Sequence, residues 1–223
     1  MINSLFLSAL TICWCVTLFS SAGAKAERVR KGDPPQAEWA DLANNKVIPG
    51  EMEKVILTAL SYYPSLKDTR IHFIYKEDIR KSVMQAQPKV STLFRGKSKR
   101  TYVIKISRYL KLNSESLDIT TLPFEVLVGW IAHELGHIID YKDRSGLAMI
   151  GFGAKYWLFE NFLKDAERRA DLFALDHGLG DMIMETKNFV LNHADIPDSY
   201  KERIKRLYMS PEEFTEMLTD VAP

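Results

Sequence analysis

Cysteine is almost absent: the chain has two, Cys13 and Cys15, both inside its first twenty-odd residues. Once that segment is removed no cysteine remains, which excludes a disulfide framework and leaves stability to a packed core. An excess of either charge is also missing. Thirty Lys and Arg stand against 29 Asp and Glu, so nothing in the balance calls for nucleic acid as a partner. Long apolar runs are missing too. The stretch from Leu5 to Phe19 is interrupted by Ser and Thr, and it is short for a membrane-spanning helix. There is no internal repeat and no low-complexity tract.

What is present begins with residues 1–24, which have the pattern of a signal peptide. No charged side chain precedes Lys25, and Ala22 and Ala24 supply the small residues expected before a cut near Ala24. An uncleaved anchor is the alternative. Lipidation is excluded, because Cys13 follows Ile12 and Cys15 follows Trp14. The expectation is a secreted or periplasmic protein with no stable membrane insertion after signal removal. Residues 25–48 read as a polar surface leader containing Pro34 and Pro35. Residues 49–223 suffice for one compact domain.

Within that domain, Met52, Val55, Ile56, Ala59 and Leu60 recur at helical spacing, predicting a helix over Glu51 to Tyr63 that Pro64 ends. Arg70 to Tyr75 reads as a strand. Ser91–Phe94 and Thr101–Ser107 read as a hairpin around residues 95–100. From Leu122 onward the pattern is helical, with Thr121 as cap and Pro123 in the first turn of a helix reaching Tyr141. Another long helix ends near His177 with Gly178 as its stop. Helices over Asp181–Asn192 and Ser199–Tyr208 follow, and Ser210-Pro211-Glu212-Glu213 is a capping box for a last one. The expected class is α+β: a small N-terminal antiparallel sheet packed on a mostly helical domain.

The chemistry-bearing run is His133-Glu134-Leu135-Gly136-His137. Residues four apart share a helix face, so both imidazoles can reach one ion, with Glu134 beside them to hold a water. Such a site wants a third ligand. Glu167 and Asp171, also four apart on a predicted helix, offer one: Glu167 as ligand, and Asp171 as acceptor for the second nitrogen of a ligating histidine. The plainer reading of Glu167 is a solvated charge among Lys164, Arg168 and Arg169. Asp140 suits either a helix cap or a partner for His137. Asp143 stands where metzincins place a third ligand, but Asp140 occupies the position of their required glycine.

The histidine pentad with a downstream ExxxD helix resembles the gluzincin metallopeptidases. Glu167 to Ala174 looks especially like the HtpX-like and CAAX-prenyl-processing endopeptidases, and the order is similar in ImmA/IrrE-like peptidases. The resemblance covers about Trp130 to Gly178. It implies a zincin-like domain, one zinc per chain on His133, His137 and Glu167, Glu134 as catalytic base, Asp171 behind a histidine ligand, and a peptide or protein substrate. The chain departs from the membrane family in lacking transmembrane helices. The segment from Pro197 to Arg203-Ile204-Lys205-Arg206-Leu207 is only loosely similar to that family's later segment.

Around this centre, Thr101–Ser107 is the run expected to line the cleft and pair with extended peptide. Lys155 to Phe159 is an aromatic stripe suited to a groove or to core. His177, Tyr156, Tyr200 and Arg203 are candidate donors to an oxyanion, but the plainer reading makes His177 a helix C-terminal cation and the tyrosines packing, so none is assigned the role. The alternative functions are a non-catalytic zinc-binding sensor or interaction module, and a helical interaction protein without metal.

Overall fold

The computed structural model describes residues 36–77, 79 and 82–220. The segment read as a signal peptide, residues 1–24, and the start of the leader lie outside them. The rest of the leader takes part in the fold: Gln36–Ala43 is a helix (α1), and Lys46–Val47 (β1) pairs parallel with the next strand. The first apolar-periodic run forms a helix over Glu53–Ser61 (α2), entered through a 3-10 turn at Gly50–Met52. Val55, Ile56, Ala59 and Leu60 are all buried. Pro64 opens a second 3-10 turn instead of extending the helix.

Arg70–Lys76 (β2), Met84–Pro88 (β3) and Thr101–Ser107 (β4) complete a four-stranded sheet in the order β1-β2-β4-β3. β2 and β4 run parallel, whereas β3 is antiparallel to β4, with Ala86 opposite Ile104. The hairpin expected between Ser91–Phe94 and Thr101–Ser107 does not form. Val90–Thr92 is a 3-10 turn in which Thr92 Oγ1 donates to Lys89 O and accepts from Thr101 N at 3.0 Å. β4 instead takes Met84–Pro88 as its antiparallel neighbour, so it has a strand on each side and cannot be the edge. Its run of Tyr102, Val103, Ile104 and Ile106 is buried, as befits a central strand. Pro88, which lacks an N–H, sits where a proline is tolerated, on an edge strand. Tyr109–Lys111 (β5) and Ser116–Asp118 (β6) form a separate antiparallel pair. The architecture is α+β.

The helical half is built round Phe124–Lys142 (α3), buried along most of its length and packed against α2 and β3. Pro123, not Thr121, is at its N-cap. The Thr121 hydroxyl donates to Asp118 O instead, because the preceding residues form a 3-10 turn capped by the Asp118 carboxylate. Gly146–Leu158 (α4), Glu160–Asp176 (α5), Gly180–Asn192 (α6), Asp198–Leu207 (α7) and Pro211–Asp220 (α8) follow. α5 stops at Gly178, with Leu179 N donating to Ala174 O and Gly178 N to Leu175 O. The capping box of α8 closes reciprocally: Ser210 N donates to Glu213 Oε2 at 2.8 Å, and Glu213 N to Ser210 Oγ at 3.2 Å. Among the described residues no helix is long and apolar enough to cross a membrane.

Candidate metal centre

α3 and α5 lie unusually close, and small residues permit it. A Cβ on Gly136 would fall 2.5 Å from Ala170 O, so no larger residue fits between the two pentad histidines without moving a backbone. Ala166, Ala170 and Ala174 are fully buried along the facing side of α5. This crossing brings His133, Glu134 and His137 of α3 against Glu167 and Asp171 of α5. All five are buried.

The geometry converges on one carboxylate oxygen. Glu167 Oε2 lies 3.0 Å from His133 Nε2 and 3.4 Å from His137 Nε2. Ligand atoms of the three residues are all within 4.8 Å of one another, a group that can hold a metal ion. Behind it, Asp171 Oδ1 sits 2.9 Å from His133 Nδ1. That contact places a proton on Nδ1 and turns the Nε2 lone pair towards Glu167. At 3.0 Å from a carboxylate oxygen, Nε2 needs positive charge between them, which a second ring proton supplies in metal-free protein and a metal ion supplies when bound. Charge balance points the same way. Lys187 Nζ meets Asp171 Oδ2 at 2.8 Å, which leaves Glu167 to be matched by a protonated His133 or by a metal ion. The residues fit a metal.

The ionisation states follow from this crowding. Burial works against a charged His133 imidazole, but Asp171 and Glu167 outweigh it and raise its pKa to about 10. Burial would raise Glu167, yet the imidazoles of His137 and His133 hold it well below the usual carboxylate range. Asp171 is likewise lowered against burial, by Lys187 and then His133. Glu134 goes the other way. Burial dominates and raises it, against the pull of the two imidazoles and of the Ala86 N–H, which donates to Glu134 Oε2 at 2.6 Å.

The Ala86 contact shows where β3 sits: its outer edge faces the site. Gln85, Ala86, Gln87 and Pro88 form one wall of a cleft of about 620 Å³, with Glu134, His137 and Glu167 on its floor. The cleft-lining position expected of Thr101–Ser107 is therefore taken by Met84–Pro88. Tyr156, Trp157, Arg203 and Tyr208 also line the cleft. The Tyr156 hydroxyl donates to Glu167 Oε1, and its pKa is raised by burial and by Glu167. The aromatic stripe serves the groove and not the core: Tyr156 is half-buried and Trp157 exposed at the cleft, while Leu158 and Phe159 are exposed.

Other expected residues stand elsewhere. Asp140 does not touch His137; its carboxylate is taken by Arg144 and Arg169, and His137 Nδ1 has no hydrogen-bond partner among the described residues. Asp143 is the C-cap of α3, outside the metal-holding group. His177 stacks on Tyr63 and donates from Nδ1 to Phe173 O at 2.7 Å. Tyr200, by contrast, borders the centre, lining a small cavity with His133, Glu134 and Asp171.

Three residues of the centre were not anticipated: Ala86, Lys187 and Tyr208. Ala86 acts through its backbone, which leaves no signal in residue type. Tyr208 places its ring 5.3 Å from that of His133 across a fold-level contact. Lys187 had a signal, since it interrupts the apolar stripe Ile183, Lys187, Val190 of α6, and a lysine on a buried face asks for a partner.

No protein-family profile, curated protein or solved structure matches the chain.

Proposed function

We propose that the protein is a zinc-dependent metallopeptidase. The observation that carries this reading is the pairing of the buried His133–His137–Glu167 group with Glu134, which projects beside it from the same helix into the cleft. Zinc suits two imidazoles and a carboxylate, and when bound it polarises a carbonyl and lowers the pKa of water. The chain's own residues do the remaining work. Glu134, raised by burial, takes the proton of the attacking water and delivers it to the departing amine. The Ala86 N–H holds that carboxylate in place. Asp171 keeps His133 in the tautomer that presents Nε2. An extended peptide lies along the outer edge of β3, where the Ala86 N–H stays with Glu134 and Pro88 has no N–H to offer. Export with removal of residues 1–24 belongs to the same proposal and rests on the sequence of that segment.

Glu134→Gln tests the reading, because glutamine keeps an acceptor for Ala86 N and leaves the three ligands intact. With a peptide library as substrate, the variant should retain zinc and lose cleavage by about 100-fold or more. Undiminished cleavage by the variant would remove Glu134 from the chemistry. A zinc-loaded wild type that cleaves nothing would favour the non-catalytic metal-binding module.

A further inference from the structure

Helix α4 is apolar on both faces. Its inner face buries Met149 and Phe152. Its outer face presents Leu147, Ile150, Trp157 and Leu158, with Leu147 75% and Trp157 88% exposed. A helix apolar around its whole circumference normally lies in a core or in lipid. This one lies at the surface with a single charged residue, Lys155, among its thirteen. The patch extends past both helix ends. Phe159 is exposed just beyond the last turn, and Phe94, 69% exposed, lies against the first: its Cδ1 is 2.9 Å from where a Gly146 Cβ would be. Contiguous exposure of this kind marks a surface that something covers.

Basic residues gather at the Phe94 end of the patch, while exposed Asp143 and Glu160 stand just beyond the two ends of α4. Arg95, Lys97 and Lys99 follow Phe94 directly, in an exposed turn beside the start of α4. Exposed aliphatic and tryptophan side chains beside a basic turn suit a surface that lies in a bilayer interface. A second copy meeting this face symmetrically would bring another basic turn to the same patch.

We propose that α4 and the turn after Phe94 form a docking surface for an anionic lipid bilayer. Leu147, Ile150, Trp157 and Leu158 enter the boundary between headgroups and acyl chains, while Arg95, Lys97 and Lys99 meet the lipid anions. Trp157 also lines the cleft, so docking sets the cleft mouth at the membrane surface. The inference does not depend on the metal or on catalysis.

Vesicle binding by the full chain tests it, with hydrogen exchange as the footprint. Vesicles of phosphatidylcholine with a quarter phosphatidylglycerol should bind the protein more tightly than pure phosphatidylcholine, and binding should weaken as salt rises. Protection should appear at residues 146–159 and 94–99. A Leu147→Ser, Ile150→Ser, Trp157→Ser variant, altered only at exposed positions, should lose binding at least tenfold. A second variant, Arg95→Ser, Lys97→Ser, Lys99→Ser, should lose about fivefold for each charge removed at low salt. The proposal is overturned by equal binding to neutral vesicles or by protection confined to other residues. It is overturned equally by folded variants that bind like wild type, as residues 1–24 acting alone would produce, or by a dimer that buries α4.

Discussion

Lys187 Nζ lies 2.8 Å from Asp171 Oδ2, and both side chains are buried. The same carboxylate uses its other oxygen on His133, so the lysine is the far end of a chain that reaches the metal centre. The ammonium also sits over the rings of Tyr208 at 5.3 Å and Phe214 at 5.8 Å.

Replacing Lys187 with methionine leaves Asp171 buried beside His133 without its cation. Removing one member of a buried pair costs roughly 3–5 kcal/mol, and disturbing the residue behind a histidine ligand lowers metal affinity about 10–100-fold. Thermal unfolding should show the first effect and chelator competition the second. An affinity equal to wild type in folded Lys187→Met would reduce the lysine to a packing role.

Gly136→Ala puts a Cβ 2.5 Å from Ala170 O, and neither backbone can give way without shifting a helix. The expected cost is on the order of 1–3 kcal/mol or more, with weakened metal binding because α3 and α5 carry the ligands between them. A differential scan with and without zinc reads both. If the alanine variant matched wild type in each, the close crossing of the two helices would be wrong.

The raised pKa of His133 makes metal uptake a proton-releasing event. With a pKa of about 10 the imidazole carries an extra proton at pH 7.5 in protein stripped of metal, whereas a ligand must be neutral. Calorimetry in buffers of different ionisation enthalpy should report about one proton released per zinc. A histidine at its ordinary value would release almost none. Stability of the stripped protein follows from the same shift. Because the folded value lies above the unfolded 6.5, this group's contribution is full below pH 6.5 and is lost as pH climbs through about 10.

Helical signals in the chain were legible because they are local. The pentad, the Glu167/Asp171 pair, the stop at Gly178 and the capping box at Ser210 each depend on residues within one or two turns, and each stands in the structure where the spacing put it. Strand pairing was legible only in part. Arg70–Lys76 and Thr101–Ser107 showed their apolar runs, but Met84–Pro88 alternates Met and Ala with two glutamines and ends on proline, a pattern too weak to compete with the nearby Ser91–Phe94. The error moved the cleft wall from an edge strand to a central one. Of the two readings of Asp140, the partner for His137 fails for a related reason. Helix spacing puts it near His137, while its partners Arg144 and Arg169 come from the next turn and from α5. Lys187 showed itself only as a lysine on the apolar face of α6 with its partner unspecified, and Tyr208 reaches the site across a tertiary contact that no local pattern encodes.

Zinc content per chain, measured by mass spectrometry on dialysed wild type and on Glu167→Ala, addresses the central claim most directly. The account predicts about one zinc per chain in wild type and its loss in the variant, since the carboxylate joins the two imidazoles across the α3–α5 crossing. Wild-type protein that takes up no zinc, or a Glu167→Ala variant that holds it as tightly as wild type, would contradict it.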